Sequence, residues 1–321
     1  MAVDIAKRVA SLLASGTEIV CGLGLADQLV AISHECDHPP EALNRPRVTS
    51  ANVRSERSSA EIDAEVKSMT AKGEPLYRID AATLVKLRPD VIITQSQCDV
   101  CAVRFEDVAS LVRTEPALRN THIVSQNPTR LEHLFEDIRA VADACDVATA
   151  GDRYIEALRA RVSRISEKTQ SLSDRNRPRV ACIEWIEPMM IAANWMPDLI
   201  EIAGGRSGLT RAGYHSGYAN WGQVRDYDPE VVVITPCGFD LSRTLKECSP
   251  LLSLPGWNQL TAVRNDRVFA ADGNAYFNRS GPRMIDSLEL LAEMIHPDRF
   301  PPAHAKRPVC YQRLDASAIK S

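Results

Sequence analysis

Four cysteines and one histidine fall where a sheet-based fold exposes chemistry. Apolar runs at Leu29–Ser33, Val91–Gln95, Val180–Glu184 and Val231–Thr235 read as short buried strands. Cys36, Cys98, Cys101 and Cys237 lie just past the carboxyl ends of three of them, and Cys182 lies within the fourth. In an open α/β sheet, ligands bind in the crevice beyond those ends. The string His34-Glu-Cys-Asp37 puts imidazole, carboxylate and thiol in one loop ahead of Pro39-Pro40. Such a loop can supply metal ligands. Read blandly, it is a surface turn with a half-buried cysteine. Cys98-Asp-Val-Cys101 is a Cys-x-x-Cys pair, a spacing at which two thiolates reach one metal ion or form a redox pair. Alone it is half of a zinc site, and its bland reading is a helix start with one buried cysteine. Taken together, Cys36, Cys98 and Cys101, with His34 or Cys237, form a candidate soft site for zinc or an iron–sulfur cluster. Alternatively, the same thiols line a pocket for a small-molecule ligand.

These loops need elements to hold them. At 321 residues, with 45% hydrophobic and 25% charged side chains, the chain can bury two cores. Its net charge of -4 gives no electrostatic footprint for nucleic acid. No apolar run is long enough for membrane insertion. The amino terminus lacks a tripartite export signal, so a cytoplasmic protein is expected. Nine cysteines in that compartment point to reduced thiols.

Strands and helices alternate. Val9–Leu13 reads as a strand, followed by N-cap chemistry at Ser15–Glu18 and a helix through Leu23. Ser58-Ser-Ala-Glu61 has the form of a capping box. Asp80 caps Ala81–Leu87, and Pro89 stops that helix ahead of strand Asp90–Gln95. Thr121–Ser125 is a strand, and a helix runs from Thr129 to about Ala144. Strand–helix alternation predicts parallel sheets. From Val147 to Leu172 the apolar residues Tyr154, Ile155, Leu158, Val162 and Ile165 keep a helical period, which predicts one long helix. The alternation then restarts with strands at Arg179–Glu184, Glu230–Thr235 and Arg267–Ala271, and a final helix over Pro282–Ile295. The expected architecture is therefore α/β: two parallel-sheet, Rossmann-like lobes (1–146 and 173–321) joined by a single long α-helix (147–172).

The layout and several strings resemble the class III substrate-binding proteins, the iron-siderophore and vitamin B12 periplasmic-binding domain. Ala10–Val20 looks like that domain's first strand and helix. Leu84–Thr94 and Asp228–Ile234 look like its helix-to-strand step in each lobe. The likeness covers about residues 8 to 297. Ser33–Asp37, Cys98–Ala102, Glu184-Trp185 and Gly273–Asn278 resemble a narrower, cobalamin-binding branch. The resemblance implies a non-catalytic protein that holds cobalamin or another metal chelate in an interlobe cleft. As partners it implies an ABC importer or an intracellular cobalamin-handling protein.

For such a ligand the second half supplies the remaining candidates. Aromatics are only 5% of the chain, yet Trp185, Trp195, Tyr214, Tyr218 and Trp221 fall in post-strand loops, beside Glu184 and His215. Aromatic faces grip a flat apolar ligand, and a few polar groups orient it. Packing within the lobe is the other use of such residues, and Trp221 is assigned to it. Asn274, Tyr276, Phe277 and Arg279 follow the last strand, where Arg279 can hold a carboxylate or phosphate. Ligand contacts are thus expected at Glu184, Trp185, Trp195, Tyr214, His215, Asn274, Tyr276, Phe277 and Arg279. No nucleophile elbow, zinc-protease motif or dinucleotide fingerprint is present, so no catalytic residue is assigned.

Overall fold

The computed structural model describes residues 6–96, 102–302 and 308–315. Two compact units emerge. The first comprises 1–54, 64–128 and 132–158; the second comprises 55–63, 129–131 and 159–321. The helix Ala148–Thr169 is continuous and joins the two lobes, shorter at both ends than its apolar period predicts.

In the first lobe, β1 (Val9–Ser11), β2 (Leu29–Ile32), β5 (Val91–Gln95) and β6 (His122–Gln126) form a parallel sheet in the order β2-β1-β5-β6. A separate antiparallel pair is made by β3 (Thr49–Ala51) and β4 (Tyr77–Ile79). In the second lobe, β7 (Val180–Trp185), β10 (Val231–Ile234) and β11 (Val268–Ala271) are parallel. Antiparallel additions extend that sheet at both sides. These are β8 (Met190–Ile191) and β9 (Gly217–Tyr218) beside β7, and β12 (Tyr311–Arg313) beside β11. The order is β12-β11-β10-β7-β8-β9. These additions, like β3 and β4, are two or three residues long, too short for a period-2 pattern to register.

The parallel strands are continuously apolar because both faces are covered. Ile92 and Ile93 of β5 and all four residues of β10 are fully buried. Both lobes enter their central strand through the same local device. A helix ends on a residue in the left-handed region, Arg88 (φ 47°) or Asp228 (φ 46°), and a proline follows to stop it. An acid comes next and accepts the backbone N–H that precedes the lobe's first strand. Asp90 Oδ2 takes it from Arg8 at 2.8 Å, and Glu230 Oε2 from Arg179 at 3.0 Å. Each acid thereby sets the register of two neighbouring parallel strands.

Two sequence expectations shift. The first helix is Ala14–Gly22, starting four residues before Glu18, and Leu13 caps it without a side-chain bond. Ser15 and Thr17 look like capping residues but are buried inside the helix. The segments 55–63 and 129–131 belong by contact to the second unit, although they fall within the first lobe's stretch of sequence.

Candidate functional site

Strand order locates the crevice in each sheet. In the second lobe the chain leaves β7 towards β8 and leaves β10 towards β11, so the order reverses between β7 and β10. Their carboxyl ends carry Glu184-Trp185 and Thr235-Pro-Cys237. The two ends touch, with the Cys237 N–H donating to the Glu184 carbonyl at 3.0 Å. Glu184 is the extra residue of a β-bulge: Ile183 and Trp185 face Ile191 and Met190, which are adjacent in sequence. A bulge re-aims a side chain and ends pairing, which suits the rim of a site.

Burial pushes the Glu184 carboxyl up to about 7, against the opposing hydrogen bond from Ser216. Ser216 Oγ also accepts the Ala193 N–H at 2.8 Å. Near neutrality, then, Glu184 can both donate and accept hydrogen bonds. Trp185 is half-buried and packs on Phe239, with ring centroids 5.5 Å apart. Its indole N–H and the buried Thr235 hydroxyl have no hydrogen-bond partner among the described residues. Phe239 is sealed from behind by Arg243, whose guanidinium lies 3.6 Å from the ring centre and donates to the carbonyls of Ser55 and Arg57. Gly273 lets the loop after β11 close on this edge, since a Cβ there would sit 2.1 Å from the Pro236 carbonyl oxygen. Asn278 fastens the approach through Thr235 O at 2.8 Å and Gly273 O at 3.2 Å.

The other second-lobe candidates divide. Trp195 is buried and donates its indole N–H to Phe277 O at 3.1 Å, and Phe277 is buried too, so both pack in the core. Tyr214 and His215 are exposed on the loop before β9. Asn274 is held through its backbone N–H by Phe239 O and Asp272 Oδ1. Tyr276 is half-buried, with Arg283 6.0 Å from its ring centre, and Arg279 is buried. Sequence reasoning missed Thr235, Phe239 and Arg243. Only strand order, which no local pattern carries, brings the end of β10 against β7.

In the first lobe the order reverses between β1 and β5. Ser15 Oγ donates to Gln126 Oε1 at 3.0 Å, while the Gln126 amide nitrogen and Thr94 Oγ1 find no partner among the described residues. The loop after β2 is locked. Arg47 donates to the carbonyls of Ser33, His34 and Cys36 at 2.8–3.0 Å. His34 Nδ1 bonds Thr49 Oγ1 at 2.7 Å, and its Nε2 lies 3.1 Å from Glu35. Cys36 is buried with its sulfur 3.1 Å from Thr17 Oγ1. Cys237 is exposed on the second lobe, and Cys98 and Cys101 lie outside the described residues. Among the described residues, no three His, Cys, Asp or Glu side chains are grouped to hold a metal ion. Burial pushes the Cys145 thiol up to about 11 and the Cys182 thiol up to about 12, with Glu184 adding to the second, which makes both poor nucleophiles.

Residues 9–275 match the family model described as Periplasmic binding protein. The uncharacterized ABC transporter substrate-binding lipoprotein YvrC of Bacillus subtilis is 21% identical over 298 residues, 92% of this chain and 81% of that protein. The vitamin B12-binding protein of Vibrio cholerae is 24% identical over 288 residues, 88% of this chain and 87% of that protein. Among solved structures, a periplasmic heme-binding protein from Pseudomonas aeruginosa superposes with a TM-score of 0.68 at 18% identity, covering 91% of this chain and 94% of that one.

Proposed function

Because this chain belongs to the periplasmic binding protein family, we propose that it holds a cobalamin-like metal chelate without altering it, for hand-over to an ABC importer. The observation that carries this reading is the finish of the second sheet at β7 and β10. A half-buried indole, a bulged carboxylic acid and a buried hydroxyl stand together there, and two of the three have polar atoms unspent among the described residues. A ligand with a broad apolar face and amide or carboxylate arms uses the indole and the acid, with the fully buried Thr235 behind them. The macrocycle lies on Trp185, and the arms take the indole N–H and the Glu184 proton. The 24% identical vitamin B12-binding relative supports the corrinoid class.

Titration with cyanocobalamin and, separately, with haemin tests the reading by difference absorbance and tryptophan quenching. The expected result is one-to-one saturable corrinoid binding that Trp185→Ala weakens at least tenfold. Saturable haemin uptake with no corrinoid binding would replace corrinoid by haem as the ligand. Tyr214→Phe and His215→Ala would then show which exposed side chain supplies the axial bond. If neither chelate binds at 100 µM ligand (about -5.5 kcal/mol), the chelate-carrier reading fails.

A further inference from the structure

The opposite, amino-terminal edge of the second sheet holds a cavity of about 350 Å³ that ligand capture at the carboxyl edge does not use. Its walls come from the residues that enter the three parallel strands and from the turn that ends the helix Met284–Ile295. Three guanidinium groups line it, those of Arg175, Arg267 and Arg299, with His296 among them. Two carboxylates, Glu230 and Asp298, line it as well.

The balance of charge decides what the cavity accepts. Glu230 is engaged mainly from outside the cavity, although it and Asp298 also act on Arg267. Its Oε2 lies 3.3 Å from Arg179 Nη1 and 3.8 Å from Arg206 Nη2, and it takes the Arg179 backbone N–H. Asp228 is likewise paired with Arg179 and bonded by Thr261. Counting that outer ring, five guanidinium groups stand against three carboxylates. The helix end adds no free negative pole, because Arg267 donates to the Met294 and Ile295 carbonyls at 3.1 and 2.6 Å. Arg175 is exposed at the cavity and has no hydrogen-bond or ion-pair partner among the described residues. Burial pushes the His296 pKa down against the opposing Gly204 carbonyl, 3.0 Å from Nε2, and the nearby charges of Arg267, Arg299 and Arg177 push the same way as burial.

We propose that this cavity is a second binding site, for a small phosphate-like oxyanion held between Arg175, Arg267 and Arg299. Arginine forks bind such oxygens bidentately, and the anion supplies the charge that the walls leave uncompensated. Arg267 is fixed by the helix end and Arg299 by the Lys168 carbonyl at 3.1 Å, each keeping further N–H groups, while Arg175 closes from the rim. The site is separate from the ligand edge at Trp185, at the other end of the same strands.

Inorganic phosphate is the probe, titrated at constant ionic strength against chloride and followed by thermal shift and calorimetry. One-to-one saturation in the millimolar range or tighter is expected. Arg175→Ala with Arg299→Ala should raise Kd at least tenfold, and the double lysine variant should restore part of it. Arg175→Ala removes no bond within the described residues, so its unligated melting temperature should hold, whereas Arg299→Ala also removes the bond to the Lys168 carbonyl and each variant is therefore compared with its own unligated form. Trp185→Ala should leave phosphate binding unchanged even if it abolishes chelate capture, which separates this site from the first. A phosphate effect equalled by chloride, or one that persists in the double alanine variant, would overturn the assignment.

Discussion

At the ends of β1 and β5 the first lobe presents Ser15 and Thr94, whereas at the ends of β7 and β10 the second presents Glu184, Trp185 and Thr235. The two sheets reverse order at corresponding points and share the same left-handed, proline and acid entry to the central strand. They differ in what finishes the strand. Among the described residues the first lobe has the polar groups of Ser15, Thr94 and Gln126 there, and Arg47 ties three carbonyls of its β2 loop into a fixed turn. The second inserts a bulge, places an aromatic face at the rim and carries a carboxyl with a raised pKa. Topology therefore provides a crevice twice, and among the described residues the second has the aromatic rim that the proposed chelate reading uses. Each prediction below opposes a residue that packs to one that faces solvent, or a residue of one lobe to its counterpart.

The largest expected effect separates two tryptophans. Trp195 is buried, with its indole N–H spent on Phe277 O. Trp195→Ala should cost about 3–5 kcal/mol of stability by denaturant titration. Trp185 is half-buried at the rim. Trp185→Ala should cost far less stability and weaken chelate binding tenfold or more, about 1.4 kcal/mol. Equal losses of stability in the two variants would break the division of this edge into core and binding face.

Two buried carboxyls, one in each lobe, sharpen the comparison further. Burial pushes Asp137 up to about 7 from an ordinary 3.8, with the Asn127 backbone hydrogen bond opposing and Glu136 adding to the rise. Glu184 goes up to about 7 from 4.5, again through burial. Between the ordinary value and 7, the folded chain holds a proton that the unfolded chain has released. The stability each group contributes is therefore largest below its unfolded pKa and falls as pH rises towards 7. Asp137→Asn and Glu184→Gln should each flatten the stability profile between about pH 4.5 and 7. Only Glu184→Gln should flatten the affinity profile, because chelate binding to the wild type should weaken as Glu184 loses its proton above pH 7. An affinity profile that Asp137→Asn changes equally would remove Glu184 from the ligand's contacts.

How much of this could be read from residues alone follows from what each feature depends on. The parallel strands, the joining helix and the Asp80 cap are written in local apolar period and cap chemistry, and the Asp80 carboxylate does accept the Thr83 N–H. Glu184 and Trp185 could be singled out because they end an apolar run. The pairing of β7 with β10 is non-local, so Thr235 and Phe239 carried no signal. Trp195 and Phe277 follow strands and so read as ligand contacts in sequence, yet both are buried and the Trp195 indole bonds the Phe277 carbonyl. Ser15 and Thr17 mimic a cap while facing strand ends inside the lobe. The amino-edge arginines are scattered from Arg175 to Arg299. They come together only because parallel strands bring their starting residues to one edge.

The smallest expected effect concerns a buried thiol of the other lobe. Cys36 is buried against Thr17, and its loop is held by Arg47 through backbone carbonyls that a side-chain change leaves in place. A thiol in that position acts as a small apolar group that hydrogen-bonds weakly. Cys36→Ala should therefore cost about 1 kcal/mol in denaturant titration and leave chelate affinity within twofold. The same variant should carry no less zinc or iron than wild type when both are purified without chelator and assayed by elemental analysis. Loss of stoichiometric metal on this one substitution would place a ligand set around the first lobe's β2 loop. It would also reverse the comparison, making the first lobe's edge the chemically active one.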